Sequence, residues 1–179
     1  MKIPLVKLKA ILLYFCNHTD VKFLGKVKLM KLFYFLDFIH LKTYGSPVTY
    51  DTYINLEHGP IPSFIKNLID NAADDLNESE LSDVIDIDKP DGISMCRFLP
   101  KRKFLDDDKK HLSEVELEIL EKICLRFGDK NTKYLEDISH KESAWRMTRF
   151  LQVIPYNLAA NDKDCLVEEE DIKLLMDIM

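Results

Sequence analysis

Between Lys26 and Tyr44 the chain places Val27, Leu29, Met30, Leu32, Phe33, Tyr34, Phe35, Leu36, Phe38, Ile39 and Leu41 on almost every face of one helix. A helix that is apolar nearly all round belongs in the middle of a domain, with neighbours on several sides. Its longest apolar run, Leu29 to Leu41, is interrupted by Lys31, Asp37 and His40 and is too short to cross a bilayer. Gly45 supplies a C-terminal stop and Ser46-Pro47 the exit. The chain has 179 residues, enough to bury a core without staples and a prior for one domain over 1–179. The fold expected is predominantly helical α+β: a compact multi-helix domain around this buried central helix, with a small antiparallel sheet.

The flanking elements follow from periodicity and punctuation. A first helix is expected over Ile3–Phe15, where Leu5, Leu8, Leu12 and Phe15 recur at spacings of three or four. Val48–Leu56 reads as a short strand, ending at a rigid turn, His58-Gly59-Pro60-Ile61-Pro62, whose two prolines should not continue it. A helix over Ser63–Ala72 follows. The acidic stretch from Asp74 to about 92 has weak periodicity and is the expected variable loop. Ile93–Leu99 alternates like a strand. Ser113 and Glu116 form a capping box, with Leu112 and Leu117 as a hydrophobic staple. The helix they start carries Val115, Ile119, Ile123, Cys124 and Phe127 inward and should end at a left-handed Gly128. Asn131 is placed to cap a helix over Thr132–Ser139, and Ser143 a further one carrying Trp145 and Phe150 and ending at Pro155. An acidic final helix over Val167–Met179 should bury Ile172, Leu175, Met176 and Ile178.

Charge narrows the partners. The net charge is −6, which argues against broad nucleic-acid or anionic-membrane binding. Residues 1–43 hold eight Lys against two Asp, whereas residues 70–91 hold nine acids and one Lys. Such blocks either solvate a surface or steer a basic protein partner, with Asp74, Asp75, Glu78 and Glu80 the candidates for steering. Cys16, Cys96, Cys124 and Cys165 form no C-x-x-C pair and read as reduced thiols, two of them buried. No small-residue cleavage site follows the N-terminal apolar stretch, which argues against a signal peptide and for a cytoplasmic chain. The isolated glycines make no phosphate-binding loop, and the five histidines have no ligand-like spacing. No cofactor or metal is expected.

Three polar residues stand out. Asp37 and His40 share a three-residue spacing on the apolar helix, suiting either an acid–base pair or hydrogen-bonded packing groups. His58, before the tight turn, could be catalytic, contact a partner, or cap the next helix. An enzyme with a pocket around Asp37, His40 and His58 is therefore one alternative. A nucleic-acid-binding regulator using the Lys2–Lys42 segment is another.

The order of motifs resembles a known family. Lys28-Leu29-Met30-Lys31-Leu32-Phe33-Tyr34-Phe35, then His40-Leu41 and Gly45, then Glu57-His58-Gly59-Pro60-Ile61, is similar to the front half of the Panacea (SocA-like) antitoxin domain. Leu112-Ser113, Glu116, Phe127-Gly128, Leu135, His140 and Trp145 are similar to its second half, with Ala144 where proline is common and Ile61 where valine is usual. The resemblance implies a non-enzymatic antitoxin of a two-gene, often prophage-borne system, bound directly to a cognate toxin protein. One branch of the family delivers its toxin to a cytosolic AAA+ protease. Lys31, Leu32, Tyr34, Asp37, His40, His58, Gly59, Pro60, His140 and Trp145 would then be motif residues that build the fold. Trp145 could alternatively anchor the interface.

Overall fold

The computed structural model describes residues 3–89 and 96–178, the last of them in backbone only. Helix α1 (Leu5–His18) buries Leu8, Ile11, Leu12 and Phe15. Helix α2 (Lys26–Tyr44) runs between Gly25 and a left-handed Gly45, φ 83°, as expected. It packs against α5 (Glu114–Phe127), α6 (Thr132–Ser139), α3 (Ser63–Asp74) and a hairpin of β1 (Tyr53–Leu56) and β2 (Gly59–Pro62). That enclosure buries residues 28–38 of α2 completely or nearly so, Leu32 and Tyr34 included. Phe35 stacks on Phe127 of α5, and Tyr34 packs across Phe38 and Tyr53. A short α4 (Asp106–Lys109) lies against α1, and helix α8 (Glu169–Ile178) closes one end through the buried Ile172.

Two small antiparallel sheets accompany the helices. In the first, Tyr53 pairs with Pro62 and Leu56 with Gly59. Residues 151–154 run along the other side of β1: Leu151 N donates to the Asn55 carbonyl (2.8 Å), Asn55 N to that of Gln152 (2.9 Å) and Ile154 N to that of Tyr53 (2.8 Å). Strand β2 is thus an outer strand, where prolines lacking an N–H are tolerated. The expectation that Pro60 and Pro62 form only a turn is corrected accordingly. In the second sheet β3 (Ile85–Asp88) pairs with β4 (Arg97–Pro100). Strand β3 lies within the stretch expected to be an acidic loop; Ile85 is buried while Asp86 faces out, a two-residue alternation hidden by the surrounding acids. The expected strand over Ile93–Leu99 overlaps β4, its Ile93–Met95 portion lying outside the described residues, as does the end of the expected loop (90–92).

The capping box is present in α5: Ser113 Oγ accepts from Glu116 N (3.2 Å) and Glu116 Oε2 from Ser113 N (2.9 Å). Asn131 caps α6 through Tyr134 N (2.9 Å). Four local expectations are corrected. Gly128 is right-handed, φ −59°; a side chain there would collide with the Cys124 carbonyl and crowd that of His18. Ser143 is the first residue of the short α7 (Ser143–Arg146), not its cap, and its N–H donates to Asp162 Oδ1 (2.8 Å). Phe150 lies beyond α7, and Pro155 opens a 3-10 turn, Tyr156–Asn161. Leu175 remains 38% exposed, while the Ile178 side chain lies outside the described residues.

Candidate functional site

Asp37 points into the core. Its Oδ1 accepts from Val48 N (2.9 Å) and Thr49 N (2.7 Å), and its Oδ2 from the Thr49 hydroxyl and Tyr53 Oη (2.9 Å). The carboxylate pins residues 48–49, so Val48–Thr52 bends and runs irregularly where a strand was expected, with Tyr50 in a left-handed conformation, φ 55°. Burial pushes the Asp37 carboxyl up to about 6 against the opposing pull of these hydrogen bonds. His40 turns away: its Nδ1 meets the Ser46 carbonyl (2.6 Å) at the helix exit. His58 is exposed, with Nδ1 3.6 Å from Glu136. The three residues have separate partners, and no shared acid–base site forms.

His58 does not cap α3 either. Asp51 does, its carboxylate accepting from Phe64 N (2.9 Å) and Ile65 N (2.9 Å). Asp51 was missed because it stands a whole hairpin away from the helix it caps. A local search for capping residues ends at the two prolines.

The motif residues from the two halves of the chain meet elsewhere, beneath the hairpin. Lys31, fully buried, donates from Nζ to the Pro60 carbonyl (2.8 Å). Gly59 has φ 93°, and a side chain on it would begin 2.8 Å from Ser139 Oγ, 2.9 Å from Lys31 Nζ and 3.1 Å from His140 Nε2. His140 stacks on the half-buried Trp145, ring centres 3.9 Å apart and planes 11° off parallel. Burial lowers the Lys31 ammonium to about 7 although Glu136 supports it, and burial also lowers His140. Both His140 Nε2 and Trp145 Nε1 are buried without a hydrogen-bond partner among the described residues. The stack holds α6 and α7 together over the hairpin.

The N-terminal lysines share this inward habit. Lys28 is buried and donates to the Gly128 and Lys130 carbonyls (both 2.7 Å), holding the end of α5; burial lowers it to about 8. Lys42 is buried among Glu142 (2.8 Å), Asp164 (2.9 Å) and Asp162 (3.6 Å). Lys7 pairs with Glu116, Lys9 with Asp83 and Lys26 with Asp70. Lys22 stays exposed beside the Phe23 ring, and Lys2 lies outside the described residues. Asp74, Asp75, Glu78 and Glu80 are all exposed. Cys16 and Cys124 are buried thiols, each pushed up to about 12 by burial. Among the described residues no group of three His, Cys, Asp or Glu could hold a metal ion, and no helix is long and apolar enough to cross a membrane.

Architecture and cluster together define a helical α+β scaffold in which Lys31, Asp37 and the His140–Trp145 stack join its own elements. The family model described as Antitoxin SocA-like, Panacea domain, matches residues 29–146, and the chain belongs to that family. The matched segment contains Lys31, Gly59, Pro60, His140 and Trp145, the residues that meet beneath the hairpin. No curated protein and no solved structure matches.

Proposed function

We propose that this chain is the antitoxin of a toxin–antitoxin pair and neutralises a toxin protein by direct, non-enzymatic binding. The observation that carries the reading is family membership across residues 29–146. The geometry supports it: Asp37 holds residues 48–49, Lys31 the Pro60 carbonyl and His140 the Trp145 ring, so these side chains serve internal contacts. We assign the exposed acids Asp74, Asp75, Glu78 and Glu80 to steering a toxin with a basic face.

The test is co-expression with the product of the adjacent reading frame. Growth should be restored and the two proteins should co-purify, whereas toxicity undiminished by a stably folded chain would refute the reading. Toxin abundance in rescued cells separates the modes: blocking leaves it constant, and delivery to an AAA+ protease depletes it. With the pair in hand, Asp74→Asn, Asp75→Asn, Glu78→Gln and Glu80→Gln combined should lower the association rate about tenfold at low salt. The difference should shrink as ionic strength rises. Stopped-flow mixing reads this directly, and an unchanged rate at low salt would remove the acids from the encounter.

A further inference from the structure

Four large apolar side chains stand in solvent within seven residues: Met147 is 58% exposed, Phe150 61%, Leu151 65% and Val153 54%. Single exposed apolar residues are ordinary, but four so close in the chain single the segment out as an interaction surface, with Phe150 beside one groove and Val153 beside another. The strip begins just after the family-matched segment ends at residue 146. It is also firmly held. Leu151 has φ 66°, a conformation uncommon outside glycine. It is maintained by the pairing of 151–154 with β1 and by Asn55 Nδ2, which donates to the Trp145 (3.0 Å) and Thr148 (2.8 Å) carbonyls. Strain of this kind persists only where the surroundings over-determine it, and it is concentrated at functional sites.

Phe150 forms one wall of a groove of about 340 Å³, whose floor is Val27, Met30, Leu56 and Ile61. Lys26, Lys66, Glu57 and His58 edge it. Lys26 and Lys66 share a single carboxylate, that of Asp70, and the exposed Arg146 and Arg149 flank the strip. In a chain with net charge −6, the rim is nonetheless positive through Arg146 and Arg149, since Glu57 offsets the charge that Lys26, Lys66 and Asp70 leave over. A second copy docking symmetrically would bring that rim against itself.

We propose that the groove and the strip Arg146–Val153 form a docking surface for a protein partner presenting an apolar side chain bordered by carboxylates. This inference rests on the antitoxin reading in taking the partner to be the toxin. The toxin would then need acids around its anchor as well as the basic face that the exposed acids of this chain would steer. Because the surface is already fastened in place, binding costs little ordering there. The acidic stretch governs encounter, and this surface governs dissociation.

The probe is a synthetic helical peptide with Leu and Phe four residues apart and Glu on either side, against the same peptide with Lys for Glu. Both are titrated into the full chain and followed by amide chemical shifts. The Glu peptide should perturb residues 26–30, 56–61 and 146–153 and bind about tenfold tighter than the Lys peptide, a difference of about 1.4 kcal/mol. Phe150→Asp should abolish that preference. Leu151→Gly, which suits the positive φ and removes only the side chain, should weaken binding with thermal stability retained. Equal binding of the two peptides, or shifts elsewhere, would overturn the proposal. So would a concentration-dependent dimer dissolved by Phe150→Asp, since the surface would then belong to a second copy. In the toxin complex Phe150→Asp should speed dissociation about tenfold. An unchanged dissociation rate with growth rescue intact would overturn the surface and leave the antitoxin reading standing.

Discussion

Asp37→Ala is expected to cost about 3–5 kcal/mol, enough to unfold much of the population of an ordinary domain. The loss does not come from the carboxylate alone. Alanine strands the buried N–H groups of Val48 and Thr49 and the Thr49 hydroxyl, and leaves the Tyr53 hydroxyl with the Phe33 carbonyl (3.0 Å) alone. A buried donor left without an acceptor costs about 1–3 kcal/mol. Asp37→Asn separates charge from connectivity. Its amide oxygen still accepts from both backbone N–H groups, and its NH2 donates to hydroxyls that can rotate to accept. The asparagine variant should therefore lose under about 1.5 kcal/mol near neutral pH. Its pH dependence should differ in a defined direction. The folded carboxyl titrates at about 6, above its ordinary 3.8, so between these values the folded protein holds a proton that the unfolded chain has released. Stability from this group is greatest below about 4, falls as pH rises to 6, and is level above that. The whole step is about 3 kcal/mol. Urea unfolding at pH 4 and pH 7 should show wild type losing stability relative to Asp37→Asn over that interval. Parallel behaviour of the two would mean that Asp37 is not ionised against its surroundings.

How much of this could be read from the sequence depended on where a residue's partner stands. Helix α2 was legible because what defines it is local: apolar residues all round from Val27 to Leu41, and Gly45 after them. The same holds for Ser113 with Glu116 and Asn131 with Tyr134, three residues apart. The motif cluster was legible only as a set of names. That Lys31, Gly59 and His140 meet at one point depends on how the β1–β2 hairpin and α6 are laid across α2, and no spacing along the chain contains that.

Misreadings had the same cause. Asp37 and His40 sit three apart on one helix, which places them near one another, yet each has a partner beyond the helix and they diverge toward the 48–49 bend and the Ser46 carbonyl. Asp51 caps a helix across a hairpin. Strand β3 was hidden because an isolated four-residue strand with two acids carries little signal until β4 pairs with it. Lysines at 28, 31 and 42 looked like part of a positive segment, whereas each serves an inward acceptor: the end of α5, the Pro60 carbonyl, and the carboxylates of Glu142 and Asp164. The exposed strip at 147–153 was read as the continuation of a helix. What replaced the helix is pairing with β1, a contact across almost a hundred residues of chain.

The second large effect is expected at Gly59. With φ at 93°, alanine would take on about 1–2 kcal/mol of backbone strain. Its methyl would also press Lys31 Nζ and Ser139 Oγ, each under 3 Å away. Ser139 Oγ is held by the Glu136 carbonyl (2.9 Å), so the lysine is the group that yields, giving up the Pro60 carbonyl. A buried ammonium without its acceptor brings the total to about 3–5 kcal/mol. Lys31 has one escape, to lose its proton. In wild type the folded ammonium titrates at about 7 against an ordinary 10.5, so above pH 7 the unfolded chain holds a proton that the folded one has shed. The desolvation penalty is full below pH 7 and is relieved as pH rises. Lys28, at about 8, adds a term of the same sign only above pH 8, which leaves the interval from 7 to 8 to Lys31. Wild type should gain about 1 kcal/mol over that unit, and Lys31→Met should not. Gly59→Ala should recover more than wild type over the same interval, because its displaced amine has more to gain from neutrality. Denaturant titrations at pH 6.5, 7 and 8 decide the matter. If Lys31→Met keeps the wild-type slope, or if Gly59→Ala loses the same stability at every pH, the lysine beneath the hairpin does not sense the packing around it.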